Sequence, residues 1–352
     1  MQIQRTALVA TALMFAAVIS GCADRSRLAS QVDDARFLPH GDHDVDEEGQ
    51  GQFVNQSPLR ATVSPDDRFV YITGSQGNGG VVIAIDRTDN RRISRVEVGQ
   101  VPVAMAISPD GSEGYVANFL SDSISVIDLP SAKVRRTIAV GKNPIRVAFT
   151  PSGKEAYVTQ HGSQDIAVIE RARGEVTALI PVGSRPCGLA FSPDGLLVYV
   201  VLHGDTDLVV INTASRAVIG RVTVGRAPMA VAVSPDGRWI YTANDASDTV
   251  TVVDAKELKV ARTIAVGKGP IEVLLSADGR DAYVLNAGSN TLSVIDTRSN
   301  SVRVTVPVQT APRSIALTSD GRFAYVTHVE KLMVWIIDTQ TQQVVRKYTA
   351  PL

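Results

Sequence analysis

Hydrophobic and polar positions recur in one order along most of this chain. In the clearest copy, residues 234–270, a Ser-Pro-Asp-Gly turn precedes an apolar segment with Tyr, a Val-rich segment ending on Asp, and a segment ending in Val-Gly. Equivalent turns begin at Ser64, Ser108, Thr150, Ser192, Ser234, Ser276 and Thr318, a spacing of 44 residues once and then 42 residues five times. A period this constant indicates a repeat architecture.

Each repeat contains four short apolar segments separated by turn residues. In the clearest copy these segments are residues 229–234, 239–243, 249–254 and 260–266. Their Val, Ile, Thr and Tyr content and their alternating stretches predict β-strands rather than helices. The turn sequence suits a reversal between antiparallel strands. Four strands of about six residues and four connections of about four fill one repeat, so each repeat should form a four-stranded antiparallel sheet.

A sheet of this kind has two apolar faces, which neighbouring sheets must cover. Radial stacking of seven such sheets covers every face and protects the edges. We therefore predict an all-β fold, a seven-bladed β-propeller of four-stranded antiparallel blades, over residues 58–352. Residues 52–55 are a candidate extra strand for the blade that closes the ring.

The segments that contain Tyr have related sequences in several repeats. Examples are Tyr115-Val-Ala-Asn118, Tyr157-Val-Thr-Gln160, Tyr241-Thr-Ala-Asn244 and Tyr325-Val-Thr-His328. Together with the Val-Gly-x-x-Pro segments, they resemble the YVTN family of β-propeller repeats over residues 58–352. The resemblance implies the propeller fold. It leaves function open, because that family includes surface-layer proteins, periplasmic binding proteins and relatives of haem d1-binding and lactonase-like propellers.

The first 22 residues have the features of a bacterial lipoprotein signal peptide. Arg5 gives a positive start, and residues 6–20 form an apolar core too short to span a bilayer. Residues 19–22, Ile-Ser-Gly-Cys, resemble the lipobox, which implies lipidation at Cys22. Several acyl chains on one residue anchor a protein durably. Because Ala23 replaces the Asp that favours inner-membrane retention, the resemblance implies an outer-membrane lipoprotein facing the periplasm.

Charge is distributed unevenly along the chain. Residues 23–57 hold eight acids against three bases and are predicted to form an acidic polar tether. Within it, the His and acidic residues of segment 40–48 are a candidate cation chelator. The whole chain carries −1 with an isoelectric point near 6.5. This charge gives no basic surface field that would attract nucleic acid. We expect a monomeric propeller. Its expected partners are an envelope protein, a glycan or a small anionic ligand.

A ligand site is expected around the propeller axis, on the face that carries the Val-Gly-x-x-Pro loops, which we name the top face. The first strand of each blade should leave this face and the second should return to it. Candidate ligand-binding residues follow the loop prolines or the repeat tyrosines by one to four positions: Arg60, Arg146, His161, His203, Glu272, Arg313 and His328.

Several chemistries are open for these side chains. The three arginines are candidates for binding carboxylate or phosphate. His161 and His203 should approach each other from adjacent blades and are weak metal candidates, with Asp205 or Asp245 as a further ligand. His328 should lie nearly opposite His203, which argues against a three-His zinc site. The histidines could equally be polar lining, and we predict no metal.

Standard catalytic motifs for covalent haem, P-loop nucleotides, serine hydrolases and zinc proteases are missing from the sequence. No cofactor is predicted, and Cys187 is expected to be a buried small hydrophobe. The first hypothesis is therefore a lipid-anchored binding or protein-interaction scaffold that uses its central top face. The alternative is an enzyme with a top-face site: a lactonase-like hydrolase using Arg146, His161 and Glu272, or a metal-assisted oxidoreductase at His161 and His203.

Overall fold

The computed structural model describes residues 56–77, 79–329 and 333–349. Over these residues the chain forms seven four-stranded antiparallel sheets, and each sheet consists of four consecutive strands. The innermost strands contact one another in ring order, and the last of them contacts the first. The predicted seven-bladed β-propeller is therefore confirmed.

The first four blades each consist of four consecutive strands of six to eight residues. Blade one contains β1 (Gln56–Val63), β2 (Phe69–Gln76), β3 (Gly79–Asp86) and β4 (Arg92–Val98). Blade two contains β5 (Pro102–Ile107), β6 (Glu113–Asn118), β7 (Ser123–Asp128) and β8 (Lys133–Ala139). Blade three contains β9 (Pro144–Phe149), β10 (Glu155–Gln160), β11 (Asp165–Glu170) and β12 (Glu175–Pro181). Blade four contains β13 (Pro186–Phe191), β14 (Leu197–Leu202), β15 (Asp207–Asn212) and β16 (Ala217–Thr223).

The remaining blades have the same organisation. Blade five contains β17 (Pro228–Val233), β18 (Trp239–Asn244), β19 (Thr249–Asp254) and β20 (Lys259–Ala265), with a short 3-10 helix at Asp245–Ser247. Blade six contains β21 (Pro270–Leu275), β22 (Asp281–Asn286), β23 (Thr291–Asp296) and β24 (Ser301–Pro307). Blade seven contains β25 (Pro312–Leu317), β26 (Phe323–His328), β27 (Met333–Asp338) and β28 (Gln343–Thr349).

Burial differs among the four strands of a blade. The second and third strands are almost entirely buried, as in β18 and β19, because neighbouring blades cover both of their faces. The outer strand, such as β20, is exposed at most positions. The repeat tyrosines Tyr115 and Tyr157 are among the largest fully buried side chains. The hydrophobic core therefore forms a ring between the blades rather than one central mass.

The ring closes by contacts between two complete blades. The Arg87 Nε of blade one donates to the Tyr325 hydroxyl of blade seven at 2.9 Å. The Thr327 hydroxyl of blade seven donates to the Leu59 carbonyl of blade one at 3.5 Å. The extra closing strand predicted at residues 52–55 lies outside the described residues.

Candidate functional site

Most of the inner strands contain a β-bulge at the end that lies at the top face. In these strands the pairing with the second strand shifts between the loop proline and the residue two positions later. Arg60, Arg146 and Glu272 are the residues that follow these bulges in blades one, three and six. Bulges bend a strand and re-aim its side chains, and they often lie beside binding sites. The repeat thus provides one re-aimed position per blade near the axis.

An axial cavity of about 130 Å³ lies where these positions meet. Its wall includes the residue two positions after the loop proline from each of six blades: Arg60, Ala104, Arg146, Gly188, Ala230 and Glu272. The inner strands pair on one side only, so their free edges face this cavity. Small residues in three blades and charged residues in the other three therefore define its shape and its charge.

Glu272 joins three blades at the axis. Its side chain is only 3% exposed, and its Oε1 accepts a hydrogen bond from Arg60 Nη2. Its Oε2 accepts a hydrogen bond from the backbone N–H of Ile315 in blade seven at 3.1 Å. Arg146 Nη2 lies 3.8 Å from Oε1. The structure thus brings together Arg60, Arg146 and Glu272, all predicted from the sequence.

Arg313 belongs electrostatically to the same group. Its pKa is lowered to about 10, chiefly by burial and then by the charge of Arg146, whereas the charge of Glu272 acts in the opposite direction. Burial is also the main cause of the lowered pKa of Arg60, followed by the charge of Arg146. We name Arg60, Arg146, Glu272 and Arg313 the axial charge cluster. It combines three guanidinium groups with one carboxylate, so its charge is positive at neutral pH.

His161 and His203 approach each other as expected from their equivalent positions in adjacent blades. Their ring centroids are 5.9 Å apart, and the rings are inclined by 44°. His161 is buried and His203 is half-buried. Across the described part of the chain, no group of three or more His, Cys, Asp or Glu residues is placed to hold a metal ion.

The structure places His328 inside blade seven rather than at the axial cavity. It is fully buried, and its ring lies 5.1 Å from the ring of Trp335. Burial lowers the pKa of His328 to about 4. In blades two, five and six the equivalent position holds Asn, whose amide donates to a Ser or Thr on the next strand, as Asn118 does to Ser125 at 3.0 Å. His328 and Trp335 occupy the positions of that pair.

Comparisons with known proteins agree with this architecture. A family model described as YNCE-like beta-propeller matches residues 53–350. The chain belongs to the YNCE-like β-propeller family. No curated protein matches it. Among solved structures it resembles Kuenenia stuttgartiensis hydrazine synthase with a TM-score of 0.75 and 24% identity over 82% of this chain and 98% of that chain. At that identity the likeness shows the shared fold alone.

A larger groove of about 1030 Å³ lies on the face of this YNCE-like propeller opposite the top face. Its charged side chains pair with one another between blades two, three and four. Arg171 lies 2.8 Å from both Asp110 and Glu113, and Arg216 lies 2.7 Å from Glu155. These mutual ion pairs fasten adjacent blades. We therefore place the candidate site at the smaller axial cavity, where charged side chains of three blades converge.

The sequence did not indicate the Ile315 amide as a partner of Glu272, but it did predict the burial of Cys187. The Ile315 amide that holds Glu272 had no sequence signal, because backbone donors are common to nearly every residue. Cys187, expected to be a small buried hydrophobe, is fully buried, and burial raises the pKa of its thiol.

Proposed function

We propose that this protein is a lipid-anchored binding or protein-interaction scaffold of the bacterial envelope, with its ligand site at the central top face. The β-propeller fold supports a binding or interaction role in general. Arg60, Arg146 and Glu272 carry the specific proposal, because these charged side chains converge from three blades at one cavity. Convergent polar groups in a concave site are typical of ligand recognition.

The proposed location rests on the first 57 residues of the sequence. A lipobox-like segment ending at Cys22 and an acidic tether would place the propeller beside the outer membrane, facing the periplasm. Within the described residues no helix is long and apolar enough to cross a bilayer. Cys22→Ser is expected to move the protein from the membrane fraction to the soluble fraction. An unchanged membrane fraction in that variant would contradict the anchor.

The binding role is tested on protein purified gently from its own host. Native mass spectrometry and co-purification should find an envelope protein, a glycan or a small anion that the double variant Arg146→Gln/Arg313→Gln no longer retains. Arg303→Gln is the matched control, because Arg303 pairs with Asp281 far from the axial cavity. Equal retention by the wild type and the double variant would argue against a top-face site.

The second candidate function is an enzyme at the same face. The 5.9 Å approach of His161 and His203 favours a metal-assisted oxidoreductase over a lactonase-like hydrolase using Arg146, His161 and Glu272. Both carboxylate oxygens of Glu272 already accept a hydrogen bond within the fold, one from Arg60 and one from the Ile315 amide. His161→Ala tests the enzyme, since it should abolish turnover; unchanged turnover and unchanged ligand-induced thermal stabilisation in this variant would argue against an enzyme.

A further inference from the structure

On the face opposite the top face, arginine side chains reach from one blade to the preceding blade at two places. Arg87 of blade one donates from Nε to the Tyr325 hydroxyl of blade seven at 2.9 Å, and its guanidinium carbon lies 5.7 Å from the centre of that ring. Arg171 of blade three pairs with Asp110 and Glu113 of blade two, each at 2.8 Å. Two of the spaces between neighbouring blades are therefore occupied by a guanidinium of the chain itself.

Blade two has Leu129 at the position that Arg87 and Arg171 occupy in blades one and three. Each of these residues directly follows the third strand of its blade. Their backbone N–H groups donate at 2.9 to 3.0 Å to the carbonyls of equivalent residues, Arg68, Ser112 and Lys154. The main chain is thus arranged alike in the three blades, and only the side chain differs. Leu129 supplies no guanidinium to the space between blades one and two.

A cavity of about 440 Å³ lies in that space. Apolar side chains of blades one and two form most of its wall: Pro65, Phe69, Tyr71, Pro109, Leu129 and Pro130. Asp66 and Asp110 also line it, and none of the described residues in its wall is Lys, Arg or His. The cavities on the same face between blades two to four and between blades six and seven have arginines in their walls. This cavity therefore combines aromatic and apolar surface with carboxylates alone.

Asp66 is the carboxylate with more capacity for a ligand. Its Oδ1 accepts from the Ser64 hydroxyl at 2.5 Å and from the Arg68 N–H at 3.1 Å, and these bonds lower the pKa of Asp66. Among the residues that the structure describes, none donates to its Oδ2. The Arg68 guanidinium pairs with a different carboxylate at 3.4 Å. Asp110 is already paired with Arg171, so the charge of Asp66 is the less compensated of the two.

We propose that this cavity binds the guanidinium of an arginine side chain from a partner protein. The ligand class follows from the two arginines that the fold places at the equivalent position in other blades. Aromatic rings and carboxylates attract a guanidinium through cation–π contacts and charge-assisted hydrogen bonds, and an apolar wall accommodates the methylene stem. A volume of about 440 Å³ is ordinary for a ligand pocket.

The position of the cavity favours a side chain that enters from another protein. Its three prolines are exposed, so the cavity opens onto the protein surface. It lies opposite the top face and is therefore independent of the ligand proposed for the axial cavity.

Ligand-observed NMR and thermal unfolding of the full chain test the proposal with two matched probes, N-acetylarginine methylamide and its neutral analogue N-acetylcitrulline methylamide. The arginine probe should bind with a dissociation constant in the millimolar range and raise the unfolding temperature. The citrulline probe should bind about fivefold more weakly or less tightly still. Butylguanidinium, which lacks the backbone of a residue, should also bind more weakly. Equal or tighter binding of butylguanidinium would assign the site to a free guanidine and overturn the partner protein.

Leu129→Arg restores the residue that the repeat has in blades one and three, so its guanidinium should occupy the cavity and abolish binding of the arginine probe. Asp66→Asn keeps an acceptor oxygen for the turn and removes the charge, so it should weaken binding about two- to fivefold. Asp236→Asn is the matched control, because Asp236 accepts the equivalent turn bonds in blade five. It should leave the affinity unchanged.

The proposal is overturned if the wild type binds neither probe, if the arginine and citrulline probes bind equally, or if a folded Leu129→Arg variant binds as well as the wild type. Should Leu129→Arg not fold, equal binding by Asp66→Asn and the wild type overturns it.

Discussion

Asp67 of blade one and Ser319 of blade seven are hydrogen-bonded across the closure of the ring. The Ser319 N–H donates to Asp67 Oδ1 at 2.8 Å, and the Ser319 hydroxyl donates to Oδ2. Between most other blades the same two positions are Gly and Pro, as where Gly153 lies against Pro109, and between blades six and seven they are Gly321 and Ala277. Proline has no N–H to donate, so a Gly and Pro pair cannot form this bond. At the ring closure Asp67 stands in place of the Gly and Ser319 in place of the Pro.

Asp67 is predicted to stabilise the closure despite its backbone conformation. It has φ of 57°, where most other turns have Gly, and a left-handed residue other than Gly costs about 1 kcal/mol. The lost hydrogen bonds to a carboxylate are worth about 2 kcal/mol. Asp67→Gly should therefore lower the free energy of unfolding by about 1 kcal/mol, measured by urea denaturation.

A double-mutant cycle tests this coupling. Asp67→Gly with Ser319→Pro recreates the pair found between other blades, so the double variant should lose less stability than the sum of the two single variants. Strict additivity would contradict a direct interaction between these residues.

His328 is predicted to make stability depend on pH. Its pKa in the fold is about 4, below the ordinary value of 6.5, so the neutral form is favoured by folding. This stability is fully present above pH 6.5 and is lost as the pH falls towards 4. Between pH 7.5 and 4.5 the wild type should lose about 2 to 3 kcal/mol more than His328→Asn.

Urea denaturation of both proteins at several pH values measures that difference. Parallel pH profiles for the two proteins would show that His328 does not titrate on unfolding.

The ion pairs between blades two and three are predicted to matter more than exposed pairs. Glu113 accepts from Arg171 at 2.8 Å and from Arg135 at 3.0 Å, and its side chain is 9% exposed. Glu113→Gln should lower the free energy of unfolding by about 2 kcal/mol, because it removes one of the two carboxylates that pair with the Arg171 guanidinium. Asp281→Asn, at the exposed pair with Arg303, should change it by less than about 1 kcal/mol. Equal losses in the two variants, measured by urea denaturation, would contradict this ranking.

Gly188 is predicted to be required for the packing of the inner strands. A Cβ at this position would lie 2.7 Å from Ala230 Cα and 2.9 Å from the Met229 carbonyl oxygen, both backbone atoms of blade five. Backbone atoms cannot move aside as a flexible side chain can, so Gly188→Ala should destabilise the protein by about 1 to 3 kcal/mol. Gly79→Ala is a control, because a Cβ there meets its nearest atom at 3.7 Å. Thermal unfolding that ranks the two variants equally would rule out this steric role.

The repeat by itself determined the blades. Turn residues and alternating apolar segments act over a few neighbouring residues, so the strand at residues 249–254 was predicted with the bounds that the structure gives to β19. The stacking of seven sheets also followed, since each sheet needs cover on both faces. The same reasoning gathered Arg60, Arg146 and Glu272 near the axis.

Only the tertiary structure decided which of these side chains meet. Arg60 and Glu272 are 212 residues apart, and their contact depends on the width of the ring and the aim of each bulge. His328 was predicted at the top-face site from its position after a repeat tyrosine. In the structure its ring instead lies against Trp335 inside the blade. Period and pattern fix backbone pairing, whereas contacts across the axis depend on distances that no local pattern encodes.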